Sequence, residues 1–418
     1  MSRSINTVAD VALWRLCLGC GACASICPKR AIDLVDVPDE GIRPVIRNGD
    51  CGTCSDCLQV CPAFENDQTE ACRRPNILGE LLPGWGPVLE IWEGHATDPE
   101  TRFKGSSGGT LTALASYCLE RRAMHGVLHI GHDPKSAIRN RTTLSRTRAA
   151  LLDRTGSRYA PASACDSLHL VEQAPKPCVF IGQPAEVVAL RKAAQLRPAL
   201  AQRLGLALSF FCAGSPATRG TLELLRKLGI SQDEVVDLRY RGNGWPGHFA
   251  VQTPGQSAPS RLTYKESWSV LQKFRPYSIH LWPDDTGEAA DISCGDPWYR
   301  EVKADEPGSS LVVVRTELGR DIVRGAITAG YMELTPAEPW KLEQSQRNLL
   351  DKRRAVWGRR LAFRLFGLPV TRLKGFPLFR LWLGLPFKDK LKSTLGTARR
   401  IVQRRYYRPL ELAAQPTK

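Results

Sequence analysis

The residues best suited to chemistry in this chain are cysteines. Cys17, Cys20, Cys23 and Cys27, followed by Pro28, form one run; Cys51, Cys54, Cys57 and Cys61, followed by Pro62, form another. Both follow C-x2-C-x2-C-x3-C-P, the spacing at which thiolates hold cubane iron–sulfur clusters. Three close cysteines wrap a tight loop around one cluster, and small residues (Gly19, Gly21, Ala22) let the backbone approach it. The fourth cysteine starts a helix that carries it to the other cluster, and the following proline fixes the turn. This logic assigns Cys17, Cys20, Cys23 and Cys61 to one 4Fe–4S cluster, and Cys51, Cys54, Cys57 and Cys27 to a second. Zinc ribbons pair two C-x2-C hooks instead, and the six other cysteines (Cys72, Cys118, Cys165, Cys178, Cys212, Cys294) are too scattered for a disulfide framework.

The elements that must hold these ligands are readable in outline. Between the two runs, residues 31–37 and 41–46 alternate enough to predict a small hairpin. Residues 76–87, rich in Gly and Pro, read as a linker. Beyond it, strand-like segments begin at Val88, Gly126, Cys178, Leu204 and Ser310, and helical ones follow at Leu111, Pro184, Pro216 and Gly319. This alternation predicts a mixed α/β or α+β body. The expected organisation is a ferredoxin-like two-cluster module over residues 1–75, a body in two parts over 76–165 and 166–335, and a basic, mostly helical tail over 336–418.

Three loops of the body could hold a ligand. Ser106, Ser107, Gly108, Gly109 and Thr110 feed a helix start. Backbone N–H groups and the helix dipole there favour an anion, and glycine lets a phosphate come close. A plain capped helix start has the same composition. Gly182 and Gln183 close a buried strand before Pro184 at a first helical position, which is a second candidate for phosphate or a flavin edge, or ordinary α/β punctuation. The segment 238–248 concentrates Arg, Gly and Trp around Arg241 and Trp245; it suits a planar or anionic ligand, or a structural turn. No residue pattern names a general acid.

The net charge of +16 is carried entirely by the tail, where residues 341–408 hold nineteen Lys and Arg against Glu343, Asp351 and Asp389. The body is balanced, which removes the main support for a nucleic-acid binding protein. Residues 367–387 interleave Leu, Phe and Trp with Arg and Lys, the mixture of an interfacial membrane or partner-docking segment or of a basic face packed onto the body. No stretch reaches the ~18–20 apolar residues of a transmembrane helix. Oxygen-sensitive clusters without the apolar core of a signal peptide lead us to expect a cytoplasmic protein, with membrane-surface association through the tail left open.

In their order, these pieces resemble the coenzyme F420 hydrogenase/dehydrogenase beta-subunit family, whose relatives include 7-hydroxymethyl chlorophyll a reductase. The resemblance rests on the paired cysteine runs and on the segments 106–114, 155–161, 179–192, 209–214, 238–247 and 312–319. It implies an iron–sulfur flavoprotein with bound FAD, working with a redox partner such as a ferredoxin or another member of a complex, and with an organic electron acceptor or donor. It adds Arg158 and Tyr159 to the flavin candidates and points Arg241 and Trp245 toward substrate. Where the family has G-T-P-C, this chain has Gly182-Gln183-Pro184-Ala185, so any thiol role at that position is absent.

Overall fold

The computed structural model describes residues 3–47, 51, 54–303 and 306–412. Its centre is an eight-stranded mixed sheet. From one edge the order is Met332–Pro336, Glu90–Ala96, Ser310–Val314, Ile292–Gly295, Leu204–Phe210, Cys178–Gly182, Val127–Asp133 and Ser136–Ser145. Ile292–Gly295, Leu204–Phe210, Cys178–Gly182 and Val127–Asp133 run parallel; the outer pairings are antiparallel. The inner strands read as near-continuous apolar runs because both faces are covered. Every residue of Ser310–Val314 is buried, and Val179, Phe180, Leu206, Ala207 and Leu208 are fully enclosed.

Helices cover the two faces, starting at Thr110, Pro184, Thr218 and Glu317 where Leu111, Pro184, Pro216 and Gly319 are expected, and two of these starts have a clear local cause. Pro184 opens Pro184–Leu196 at a position whose N–H would be unpaired anyway. Thr316 caps Glu317–Thr328 by accepting from the Gly319 N–H. A small antiparallel sheet of Asp237–Arg239, His248–Gln252 and Ser260–Thr263 stands to one side with its own apolar cluster around Tyr240, Phe249 and Leu271.

The cysteine module is docked on the body. Its hairpin pairs Ile32 with Ile46 through Val37 with Gly41, as the alternation predicts. The Cys165 N–H donates to Cys20 O at 3.0 Å, Ser163 Oγ to Gly19 O at 2.7 Å, and Lys192 Nζ to Cys61 O at 3.2 Å and Glu65 O at 2.7 Å. Gly21 is obligatory in this interface: its φ is +82° and a Cβ would sit 2.8 Å from that of Ser163.

Two expectations change. The stretch 76–87 is not an exposed linker: Leu81 and Trp85 are buried with Val88 against Leu342 and Leu350. Its glycines and prolines shape a turn within the core. Of the alternatives for the tail, the structure shows one that packs back over most of its length, in helices Arg347–Leu365, Leu378–Leu383 and Phe387–Gln403. Arg353 pairs with Glu288 and Lys352 with Asp285, all four side chains buried. Arg372–Lys374 adds a parallel strand to Glu65–Asp67, and Leu410 N donates to Leu13 O at 2.8 Å. The tail therefore clamps module and body together; its last residues, 413–418, lie outside the described residues. Among those described, no helix is long and apolar enough to cross a membrane.

Candidate functional site

Cys17, Cys20, Cys23 and Cys61 line one small cavity under Val8, Val11, Leu34 and Ile42. Burial, and then the neighbouring thiols, push the Cys20 and Cys23 thiols well above their ordinary range; Cys61 is pushed to about 12 by burial and then by Cys17. Sulfurs crowded together in a dry pocket suit a cationic iron core, which supplies the missing counter-charge. Backbone N–H groups point at two of the cluster cysteines, from Gly19 to Cys17 Sγ at 3.4 Å and from Ala31 to Cys27 Sγ at 3.3 Å. Cys57, raised chiefly by burial, feels Cys54 and Cys51. The two groups differ in access: Cys51 and Cys54 are exposed, whereas Cys20 packs into the body's core beside Val187 and Leu190 of the helix Pro184–Leu196.

The other face of that helix's entry turn borders a cleft of about 1440 Å³. It opens at the carboxyl ends of the parallel strands, marked by Gly182, Phe210 and Gly295, where open α/β sheets bind ligands. The loop before helix Thr110–Arg121 enters from the neighbouring strands. That helix has Gly109 as N-cap and no side-chain cap, so its first N–H groups are left for a ligand.

The structure brings most of the sequence candidates to this cleft but gives them different work. Ser106, Gly109 and Thr110 line it, and Ser106 Oγ accepts from Ser157 N–H at 2.6 Å. Ser107 also borders it, but its hydroxyl is spent on Ser309 O at 2.5 Å, fastening the loop to the sheet. Gly108 and Gly109 are demanded by the protein itself. A Cβ on Gly108 would lie 2.7 Å from Gly94 O; one on Gly109, where φ is +74°, would lie 2.6 Å from Thr101 O. Gly182 and Gln183 line the cleft, and Gln183 Nε2 donates to Ser215 Oγ at 3.1 Å. Ala185 sits in a crevice between Trp282 and Leu18, on the side of the cysteine module.

Arg158 and Tyr159 reach the cleft wall, but the Arg158 guanidinium is spent on Asn140 Oδ1, Ala137 O and Leu238 O at 2.6, 2.6 and 2.8 Å. Arg241 is likewise committed. It grips Asp296 with two bonds of 2.9 Å and lies under Tyr264 and Trp298. Burial works against its charge, yet Asp296 holds its pKa well above the ordinary value. Trp245 stands behind this group, stacked on Trp298 and donating to Asp296 at 2.8 Å. Arg241 and Trp245 thus build a rigid aromatic floor, with Tyr264 and Trp298 presented to the cleft.

One entire wall of the cleft is foreshadowed by no motif in the sequence. Residues 344–400 contribute Lys352, Arg354, Arg359, Lys392 and Arg400, facing Arg275 and His280 from the body. The excess of Arg and Lys in the tail was the available signal, but it carries no information about where the tail folds.

Residues 176–339 match the family model for the C terminus of the coenzyme F420 hydrogenase/dehydrogenase beta chain, residues 91–169 the model for its N-terminal part, and residues 16–64 a 4Fe-4S dicluster domain. The coenzyme F420 hydrogenase subunit beta of Methanococcus voltae is 25% identical over 282 residues, 66% of this chain and 95% of that protein. The coenzyme F420-dependent sulfite reductase of Methanocaldococcus jannaschii is 21% identical over 67% of this chain and 46% of its own length. A chain of the F420-reducing [NiFe] hydrogenase complex from Methanosarcina barkeri shares the fold, with a TM-score of 0.52 and 21% identity over 70% of this chain and 98% of that one. None of the three matched segments reaches the helices that begin at Arg347, Leu378 and Phe387.

Proposed function

Because this chain belongs to the coenzyme F420 hydrogenase/dehydrogenase beta-subunit family and carries a 4Fe-4S dicluster domain, we propose that it is an FAD-dependent oxidoreductase acting on an organic substrate. The observation that carries this reading is the placement of one helix, Pro184–Leu196, between the buried Cys20 and the large cleft. When bound, FAD exchanges single electrons with the clusters and a hydride with the substrate.

The chain's own residues supply placement. Exposed Cys51 and Cys54 give a redox partner access to one cluster; Cys17, Cys20, Cys23 and Cys61 bury the other beside the cleft. Ser106, Gly109 and Thr110 offer a helix N-terminus to the flavin's phosphates, and Gly182 and Gln183 offer a second edge. Tyr264 and Trp298, held by Arg241 and Asp296, supply a flat apolar surface that excludes water from a planar ring. The cleft exceeds the ~300–1,000 Å³ of ordinary ligand pockets and has room for a cofactor and a substrate together. The relatives' names make F420 the first acceptor to assay.

A second reading, an electron-transfer protein whose partner holds the substrate, is favoured by one observation. Phe387, Leu391, Leu395 and Val402 lie along one side of helix Phe387–Gln403 and are 41–74% exposed. One experiment separates the readings: iron, sulfide and flavin per chain of anaerobically purified protein, then turnover with small acceptors in the absence of any partner. Two clusters with one FAD and turnover by the isolated chain support the enzyme. Clusters without flavin, or no turnover until a partner is added, replace it with the carrier.

A further inference from the structure

The wall that the C-terminal helices add to the cleft carries more positive charge than the protein neutralises. Lys352 is paired, 2.5 Å from Asp285. Arg275, Arg359, Lys392 and Arg400 also line the cleft, and among the described residues none of the four forms an ion pair. Arg359 donates through Nη1 to the His280 and Lys352 carbonyls, at 3.0 and 3.4 Å, and Arg275 through Nε and Nη1 to Gln272 O and Ala213 O, at 3.1 and 2.8 Å. Their remaining N–H groups have no acceptor among the described residues. Arg400 lies over the Tyr277 ring at 5.3 Å. The two other carboxylates on this wall, Asp351 and Asp389, are exposed, and Asp351 faces Arg354.

These cations act on one another. His280 is pushed down to about 2, first by burial and then by Arg359, Lys352, Arg275 and Arg400. Burial depresses Arg359, as do Arg400 and Arg275, against the opposing pull of Tyr277 and of Asp285, which also supports Arg275. One carboxylate, Asp285, already paired with Lys352, serves Arg275 and Arg359 as well, and partly buried guanidinium groups without a counter-charge of their own are costly in a folded protein. Such a cluster is retained at little cost only where an anion completes it, and bidentate guanidinium pairing suits phosphate and carboxylate.

We propose that Arg275, Arg359, Lys392 and Arg400 form a subsite for a phosphate or carboxylate group of the organic substrate. The inference rests on the oxidoreductase reading for the word substrate, but the anion site itself stands on these side chains. Three of the four belong to helices outside the family-matched segments. The tail is thus a specificity element as well as a clamp: it selects, within a family cleft, for an acceptor or donor carrying negative charge. The same chemistry could come from the diphosphate of the flavin, and the test separates the two sources.

The probe is labelled pyrophosphate, measured by equilibrium dialysis against the full-length, anaerobically purified, cluster-loaded protein, with iron and flavin determined on the same samples. Wild type is expected to bind pyrophosphate saturably with flavin in place. Arg359→Gln with Arg400→Gln is expected to weaken binding by about tenfold or more, the loss of charge-assisted hydrogen bonds, at unchanged iron and flavin. Lys392→Gln with Arg400→Gln removes only exposed side chains, so it tests the same point without risk to folding. Equal binding in wild type and variants, or none in wild type, overturns the proposal. Variants that lose flavin in step with pyrophosphate overturn it in favour of the flavin diphosphate. A wild type that holds no flavin refutes the cofactor reading alone, and the pyrophosphate comparison still decides the anion site.

Discussion

Arg353→Met tests the claim that the tail is a structural clamp. Arg353 is 3% exposed and its partner Glu288 is fully buried. The pair joins the helix Arg347–Leu365 to the turn at residues 284–288, which in turn packs under Gly86. The nearby Arg315 gives Glu288 weaker electrostatic support but no hydrogen bond, because its donors go to Ser293, Trp85, Pro87 and Thr286. Removing the cation therefore leaves a buried carboxylate without its ion-pair partner, a loss of ~3–5 kcal/mol from a total of ~5–15 kcal/mol. The pH dependence gives the mechanism away. Burial already raises the Glu288 pKa above its ordinary value, and Arg353 is the chief opposing influence. Without Arg353 it rises further. The unfolded chain then holds fewer protons than the folded one above the ordinary carboxyl range, so stability falls as pH rises. The deficit should be full near neutral pH and shrink as pH falls toward the ordinary glutamate pKa, where Glu288 is protonated in both states. Urea denaturation under anaerobic conditions, followed by circular dichroism and cluster absorbance, measures both. Arg353→Met with Glu288→Leu should recover most of the loss. A loss below ~1 kcal/mol at neutral pH, or one equal at acidic and neutral pH, would refute the reasoning.

Gly109→Ala forces a positive φ on alanine and a contact 2.6 Å from Thr101 O; the expected cost is ~1–3 kcal/mol, with flavin content falling as the loop shifts, read by denaturation and released flavin. Cys54→Ser should halve the iron and slow reduction by an external donor while the cluster of Cys17, Cys20, Cys23 and Cys61 keeps its electron paramagnetic resonance signal; loss of all iron would count against independent sites. Arg158→Met should lower stability by ~2–5 kcal/mol through the unpaired Ala137, Asn140 and Leu238 acceptors, and a raised KM at unchanged stability would show instead that Arg158 binds ligand. Glu186 is fully buried, and burial raises its pKa to about 7 against the pull of the Ala164 and Gln183 N–H groups. Wild-type stability should therefore fall as pH rises from the ordinary glutamate range through about 7, and Glu186→Gln should flatten that slope in pH-dependent denaturation.

What the sequence revealed and what it hid divide along the range of the interactions. The hairpin between the two cysteine runs and the strand–turn–helix at residues 178–196 are local patterns, and each is found where its spacing puts it, whereas Cys27 and Cys61 follow the short helices Ala22–Ile26 and Asp56–Gln59 instead of starting helices. The candidate loops also reach one cleft, because strand ends in a parallel sheet converge on one side. The function of individual side chains was hidden wherever the partner is distant. Arg241 in a Gly- and Trp-rich turn has the composition of an anion binder, but Asp296, 55 residues on, neutralises it. Gly108 and Gly109 have the composition of a phosphate cradle, but Gly94 and Thr101 require them. The tail is the largest case. Its charge excess left an outward docking surface and a face packed onto the body equally open, and Lys352 and Arg353 find Asp285 and Glu288 67 and 65 residues upstream. Once those two cations are matched, the unmatched ones on the same helices stand out, and they face the cleft rather than solvent alone. The charge that left docking and packing equally open in the sequence thus becomes, in the fold, the reason to seek an anionic substrate.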